Sequence, residues 1–203
     1  MRWTRKFLGG AIGLALTAQV ASAQVTVNYT TTGSFTGLCT GVVCTLGGMT
    51  IAFNPLTSNS VTLDANNGYF SFLSFGEFNV SGATVGQQSF AGVNFALNFT
   101  QNQPTPGGAQ TLAGTVAGGI DNNSSNLRWT PTPASWSLPW GATGMINYAT
   151  NGTTNLQAPT SNSGVTTIQG QVSTNVVPEP STYLLMSGGL AGVLLFARKR
   201  RAS

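Results

Sequence analysis

The sequence predicts an all-β body, a single antiparallel β-sandwich or jelly-roll-like domain over residues 24–172. It is expected to be flanked by an N-terminal signal helix and a C-terminal transmembrane helix. Three observations predict this. Apolar residues in the middle of the chain alternate with a period of two rather than 3.6. Candidate strands recur roughly every 8 to 12 residues, with Gly, Asn and Pro between them. No convincing helical pattern lies between Gln24 and Val177, and no fixed-period repeat points to a propeller or solenoid. About 150 residues is one domain's worth of chain, enough to bury a core.

The strands follow in order. Val25, Val27 and Tyr29 alternate with Thr26, Asn28 and Thr30, giving a first strand. Val42 to Leu46 and Met49 to Phe53 are two short strands, and Gly47-Gly48 between them is a hairpin signal. Asn54-Pro55 makes a turn, Ser60 to Leu63 a strand, and Asp64 to Gly68 a turn or loop. Tyr69 to Phe75 is apolar on both faces and is placed centrally. Glu77 to Val80 continues after Gly76, the residue type that marks a bulge. Ser89 to Phe99 sets Val93, Phe95, Leu97 and Phe99 on one face. Gln101 to Gln110, with Pro104, Pro106 and Gly107-Gly108, reads as a loop, and Thr111 to Val116 as a strand. Gly118 to Asn126 reads as a polar loop and Leu127 to Pro139 as irregular chain. Gly144 to Ala149 and Val165 to Val172 complete the set, and residues 173–177 form a short linker.

The first 23 residues have the composition of a secretory signal. Arg2, Arg5 and Lys6 form a positive start, Phe7 to Val20 an apolar run, and Ala21-Ser22-Ala23 a small-residue cleavage site in which Ala21 and Ala23 are the determinants. Removing the ends changes the charge reading. The whole chain is +4, but residues 1–23 carry three cations, and residues 178–203 carry four, less Glu179. The body holds only Arg128 against Asp64, Glu77 and Asp121, so it is slightly acidic. The basic balance belongs to the ends and gives no ground for nucleic-acid binding. Thr, Ser, Asn, Gln and Gly replace charge in the body, which suits an exported surface protein.

The same inventory limits chemistry. The chain has no histidine, which removes Ser-His-Asp and Cys-His nucleophile systems and His-based metal sites. A glycosidase needs two facing carboxylates, and the body offers three acids, two of them in Asn-rich loops. The chain is therefore read as non-enzymatic. No cofactor is expected. A loose calcium site at Asp64 or Asp121 is the one alternative, set against Asx turns as the ordinary role of such residues. Cys39 and Cys44 are the only cysteines, and in an exported chain they should form a disulfide that pins a small excursion after the first strand. Arg128, Trp129, Trp136 and Trp140 lie within thirteen residues. Exposed, they could stack on sugar rings and hydrogen-bond them. Their competing role is to plug one end of the sandwich.

The tail has three parts in a fixed order. Pro178-Glu179-Pro180 is held extended by its prolines. An apolar stretch over residues 182–197 follows, somewhat short of the ~20 residues that usually span a bilayer. Arg198-Lys199-Arg200-Arg201 then forms a basic stop that the positive-inside rule keeps cytoplasmic. In this arrangement the tail over residues 178–203 resembles the sorting signal of the PEP-CTERM proteins. The resemblance implies export by the secretion machinery, a membrane-held intermediate, and recognition at Pro178-Glu179-Pro180 by exosortase, a membrane-embedded cysteine protease or transpeptidase. It also implies a bacterium with an outer membrane and an association with exopolysaccharide or biofilm. The expected function is an exported cell-surface or extracellular-matrix protein. A secreted glycan-binding module is the alternative, and a secreted hydrolase the least favoured reading.

Overall fold

The alternating segments become strands in the computed structural model, which describes residues 24–174 and Gly189. In chain order the strands are β1 (Val25–Gly37), β2 (Val43–Leu46), β3 (Met49–Asn54), β4 (Asn59–Leu63), β5 (Phe70–Gly82), β6 (Gln88–Ser89) and β7 (Val93–Gln103). They continue with β8 (Gly108–Ala117), β9 (Gly119–Ile120), β10 (Arg128–Trp129), β11 (Ser135–Trp140), β12 (Gly144–Thr150), β13 (Thr154–Asn155) and β14 (Val165–Thr174). Single 3-10 turns occupy Ala65–Asn67 and Asn162–Gly164. The described body is thus all-β.

Two six-stranded antiparallel sheets carry the architecture, in the orders β13-β10-β8-β7-β1-β4 and β11-β12-β14-β5-β3-β2. β6 and β9 form a small separate pair. The hydrophobic faces of both large sheets meet in one aromatic core. Phe35 and Phe95 of the first sheet pack against Phe53 and Phe78 of the second, with Phe78–Phe95 centroids 4.8 Å apart. Farther along, Phe99 meets Phe75 and Tyr148 from the facing sheet. Fully burying such rings removes roughly 1.5–3 kcal/mol of apolar exposure each, so this stack is the main driving force for closing the two sheets. Two tyrosines reach across the core with their hydroxyls. Tyr29 donates to the Ser74 carbonyl at 2.7 Å and accepts from Asn59. Tyr148 donates to Gln101 Oε1 at 2.6 Å.

The bulge expected at Gly76 is present. Pairing between β14 and β5 shifts register between Thr167 and Gln169, opposite residues 74–77. The inward residues of β5 accordingly change from Leu73 and Phe75 to Phe78 and Val80. Gly76 has φ +118°, and a Cβ there would lie 2.7 Å from the Phe53 ring. The hairpin between β2 and β3 turns through Gly47 and Gly48, both with positive φ, as a tight two-residue turn demands.

Several boundaries differ from the sequence reading. β1 runs seven residues past Thr30 to Gly37, because Thr31 and Phe35 keep the inward alternation. The expected loop over Gln101 to Gln110 shrinks to a turn, since β7 extends to Gln103 and β8 begins at Gly108. The chain read as irregular from Leu127 to Pro139 contains β10 and most of β11. Its prolines hid this, but β11 is an edge strand, where a missing backbone N–H is tolerated. The expected polar loop at Gly118 to Asn126 includes β9. β14 continues to Thr174, beyond the expected start of the linker.

The signal segment with Ala21 and Ala23, the motif Pro178-Glu179-Pro180, the apolar stretch 182–197 apart from Gly189, and Arg198-Lys199-Arg200-Arg201 lie outside the described residues, as does the linker from residue 175 onward.

Candidate functional site

The aromatic cluster between Arg128 and Trp140 does not form one surface. Arg128 and Trp129 belong to β10 in the first sheet, and Trp136 and Trp140 to β11 in the second. Trp129 is fully buried, edge-on to Phe78 and Phe95, with its indole N–H donated to the Phe95 carbonyl at 3.2 Å. Trp136 is 8 % exposed and stacks on Tyr148, with ring planes 15° apart. Trp140 is half-buried, donating to Thr174 Oγ1 at 3.3 Å. Arg128 is exposed at the far side, paired across the backbone with Asn155 and Ala117. The ring faces of Trp129 and Trp136 are covered by the core and cannot receive a sugar, which corrects the expectation of a glycan platform there. The reason is the period: Trp136, Leu138 and Trp140 alternate with Ser135, Ser137 and Pro139, a strand that turns its tryptophans inward.

The acids are engaged in local structure. Asp64 Oδ1 accepts the backbone N–H groups of Asn66 and Asn67, capping the 3-10 turn at Ala65–Asn67. Asp121 Oδ1 accepts the N–H groups of Asn123 and Ser124, and Oδ2 the Ser124 hydroxyl. The Asn123 N–H, followed by the Ser124 hydroxyl and N–H, holds the Asp121 carboxyl below the ordinary carboxylate range. Glu77 accepts a 3.3 Å hydrogen bond from Thr167 on the outer face of the second sheet. Among the described residues no group of three or more His, Cys, Asp or Glu converges. Cys39 and Cys44 are joined in a disulfide with Cα atoms 5.1 Å apart.

The outer face of the second sheet carries the feature the sequence reading passed over. The registers align Ser137, Asn147, Ser173 and Phe70 in one row across β11, β12, β14 and β5. The next row holds Ser135, Ala149, Gln171 and Phe72, and Gln169 opposes Ser74 beyond it. Phe70 and Phe72 meet edge to face at 5.2 Å, and Phe72 is 67 % exposed. A cleft of about 360 Å³ opens over the first two rows, and one of about 310 Å³ over Phe72, Ser74 and Gln169. No charged side chain lines either cleft. The available signal was the odd and even split of β5. Leu73 and Phe75 point inward, so Phe70 and Phe72 had to share the face with Ser74.

The tail is where known proteins give a match. Residues 176–201 match the PEP-CTERM protein-sorting motif, placing Pro178, Glu179 and Pro180 at its start and Arg198 to Arg201 at its end. That motif marks the chain as an extracellular protein sorted by exosortase and exported toward the cell surface. No curated protein and no solved structure matches the chain.

Proposed function

We propose that this is a non-enzymatic surface protein whose β body is delivered into the exopolysaccharide layer of an outer-membrane-bearing bacterium. The sorting motif at residues 176–201 is the observation that carries the reading. The tail would hold a transient inner-membrane intermediate until exosortase acts at the Pro-Glu-Pro segment, after which the body is released or attached outside. The body suits that setting. Its solubility rests on hydroxyl and amide groups rather than charge, so it does not depend on ionic strength as a highly charged surface does. With no histidine, and with Asp64 and Asp121 bound up in their own turns, its residues favour a structural or binding role over hydrolysis.

The test is intact mass and C-terminal peptide analysis of the protein recovered from native cell surface and medium, with and without exosortase, together with its co-fractionation with extracellular polysaccharide. A form beginning at Gln24 and ending near Pro180 only when exosortase is present, and travelling with polysaccharide, is expected. An unprocessed Ser203 end in both strains, or complete separation from the polysaccharide, would sink the reading.

A further inference from the structure

The outer face of β11, β12, β14 and the first half of β5 is, we infer, a binding face for an uncharged polysaccharide chain. The inference deepens the proposed matrix role and rests on it for its setting. Three properties of the face select this ligand. Phe72 and its edge-on neighbour Phe70 present apolar ring surface beside the polar side chains of β14, and aromatic faces pack on the C–H faces of sugar rings. Next to them on β14, the side-chain amides of Gln169 and Gln171 and the hydroxyl of Ser173 make no hydrogen bond to other described residues. By contrast, the amides of Gln101 and Gln88 are used within the fold. β14 therefore presents hydroxyl, amide, amide along one strand, at intervals of about 6.8 Å. Such groups can donate to and accept from the hydroxyls of a sugar. Asn147 is held by the Ser137 hydroxyl at 2.7 Å, which fixes the far wall of the cleft.

Charge then decides between ligand classes. The clefts have no cation to meet a uronate, sulfate or nucleic-acid phosphate. The Glu77 carboxylate stands on this face beside Thr167, and the body carries three acids against one Arg. An acidic polymer is repelled, and a neutral one is not. The two clefts flank the Phe pair, so a chain crossing the face would contact both.

Affinity electrophoresis of the full chain tests this, using gels containing the neutral fraction of the producing cell's own polysaccharide, dextran, galactomannan, or alginate. Retardation by at least one neutral polymer and none by alginate is expected. Phe72→Ala should weaken retardation about tenfold, and Gln171→Ala should weaken it further, with thermal unfolding unchanged because Phe72 is exposed. Trp140→Phe, outside the face, should bind as the parent does. Absence of retardation by every neutral polymer, stronger retardation by alginate, or unchanged binding in Phe72→Ala would each overturn the inference. If Phe72→Ala co-fractionates with the extracellular polysaccharide as fully as the parent does, this face is wrong while the matrix role stands. If the parent protein does not co-fractionate, the matrix role fails independently of what the gels read.

Discussion

Tyr148 and Gln101 join the two sheets by a buried hydrogen bond, the phenol donating to Oε1 at 2.6 Å. Gln101 is itself buried, and its Nε2 donates to the carbonyls of Pro104 at 2.8 Å and Pro139 at 3.2 Å. One amide thus holds β7, β12, the turn after β7 and the edge strand β11 together. Tyr148→Phe keeps the ring against Phe99 and Trp136 but leaves Oε1 buried without a donor. The expected loss is about 1–3 kcal/mol, read by chemical denaturation. A loss under about 0.5 kcal/mol would mean that water reaches Gln101.

Tyr148, together with Tyr29, also sets the alkaline limit of the fold. Burial, with a smaller repulsion from Tyr29, pushes the Tyr148 phenol well above its ordinary range, and burial also raises Tyr29 despite its two hydrogen bonds. A raised folded pKa contributes stability that is fully present below the unfolded value of about 10 and is lost as pH rises beyond it. Above that point the unfolded chain ionises while the folded one resists. The melting temperature should therefore fall steeply above about pH 10, and less steeply in Tyr148→Phe. Equal slopes in both proteins would remove Tyr148 from the account.

How far the sequence could be read depends on what each strand faces. β7 was legible because Val93, Phe95, Leu97 and Phe99 are all buried and their neighbours are not. The expected disulfide needed only proximity in an exported chain. β11 was hidden, because Pro133 precedes it and Pro139 lies within it, and prolines usually argue against a strand. The Phe70 and Phe72 face was missed for another reason. An apolar residue on each side of β5 reads as burial on both sides, whereas only the Leu73 and Phe75 side is covered. The cross-strand rows that place Gln171 beside Phe72 depend on long-range register, which no local pattern states.

Acid should act on a different part of the body. The Asp121 carboxyl is held low by the N–H groups and hydroxyl of its own turn. That turn is tied to Thr84 and Thr160 through Asn122. A depressed folded pKa gives stability present above the unfolded value of about 3.9, lost as pH falls through the folded one. Asp121→Asn should melt below the parent at neutral pH, and the gap should close as pH falls below that unfolded value. A gap independent of pH would place the effect in hydrogen-bond geometry rather than charge.

Opening the disulfide should cost little. Cys39 and Cys44 enclose a loop with a sequence separation of 5, and so short a closure restricts the unfolded chain by about 2 kcal/mol. The double change Cys39→Ala, Cys44→Ala should lower stability by about that amount, plus a small packing loss where Cys44 is buried. Denaturation of the parent under reducing conditions separates the two contributions. A loss several-fold larger on reduction alone would mean that the β2 hairpin folds only when the loop is closed.

Gly76 should be the least replaceable residue of β5. The bulge there lets Leu73 and Phe75 face inward before it and Phe78 and Val80 after it. Its φ of +118° is a backbone conformation that a side chain strains, and a Cβ would also press on the Phe53 ring and lie 2.8 Å from the Asn54 carbonyl oxygen. Both neighbours are fixed, the ring by its packing against Phe78 and Phe95 and the carbonyl by its place in β3. Gly76→Ala should therefore cost more than ~2 kcal/mol, measured by denaturation, with Gly86→Ala as the comparison because its Cβ would meet open space, also at a positive φ, +87°. The difference between the two reports the crowding at Gly76 together with the added strain of its larger φ. If Gly76→Ala were no worse than Gly86→Ala, the bulge would have to relax away from Phe53, and the register between β5 and β14 that aligns Phe72 with Gln171 would be adjustable rather than fixed.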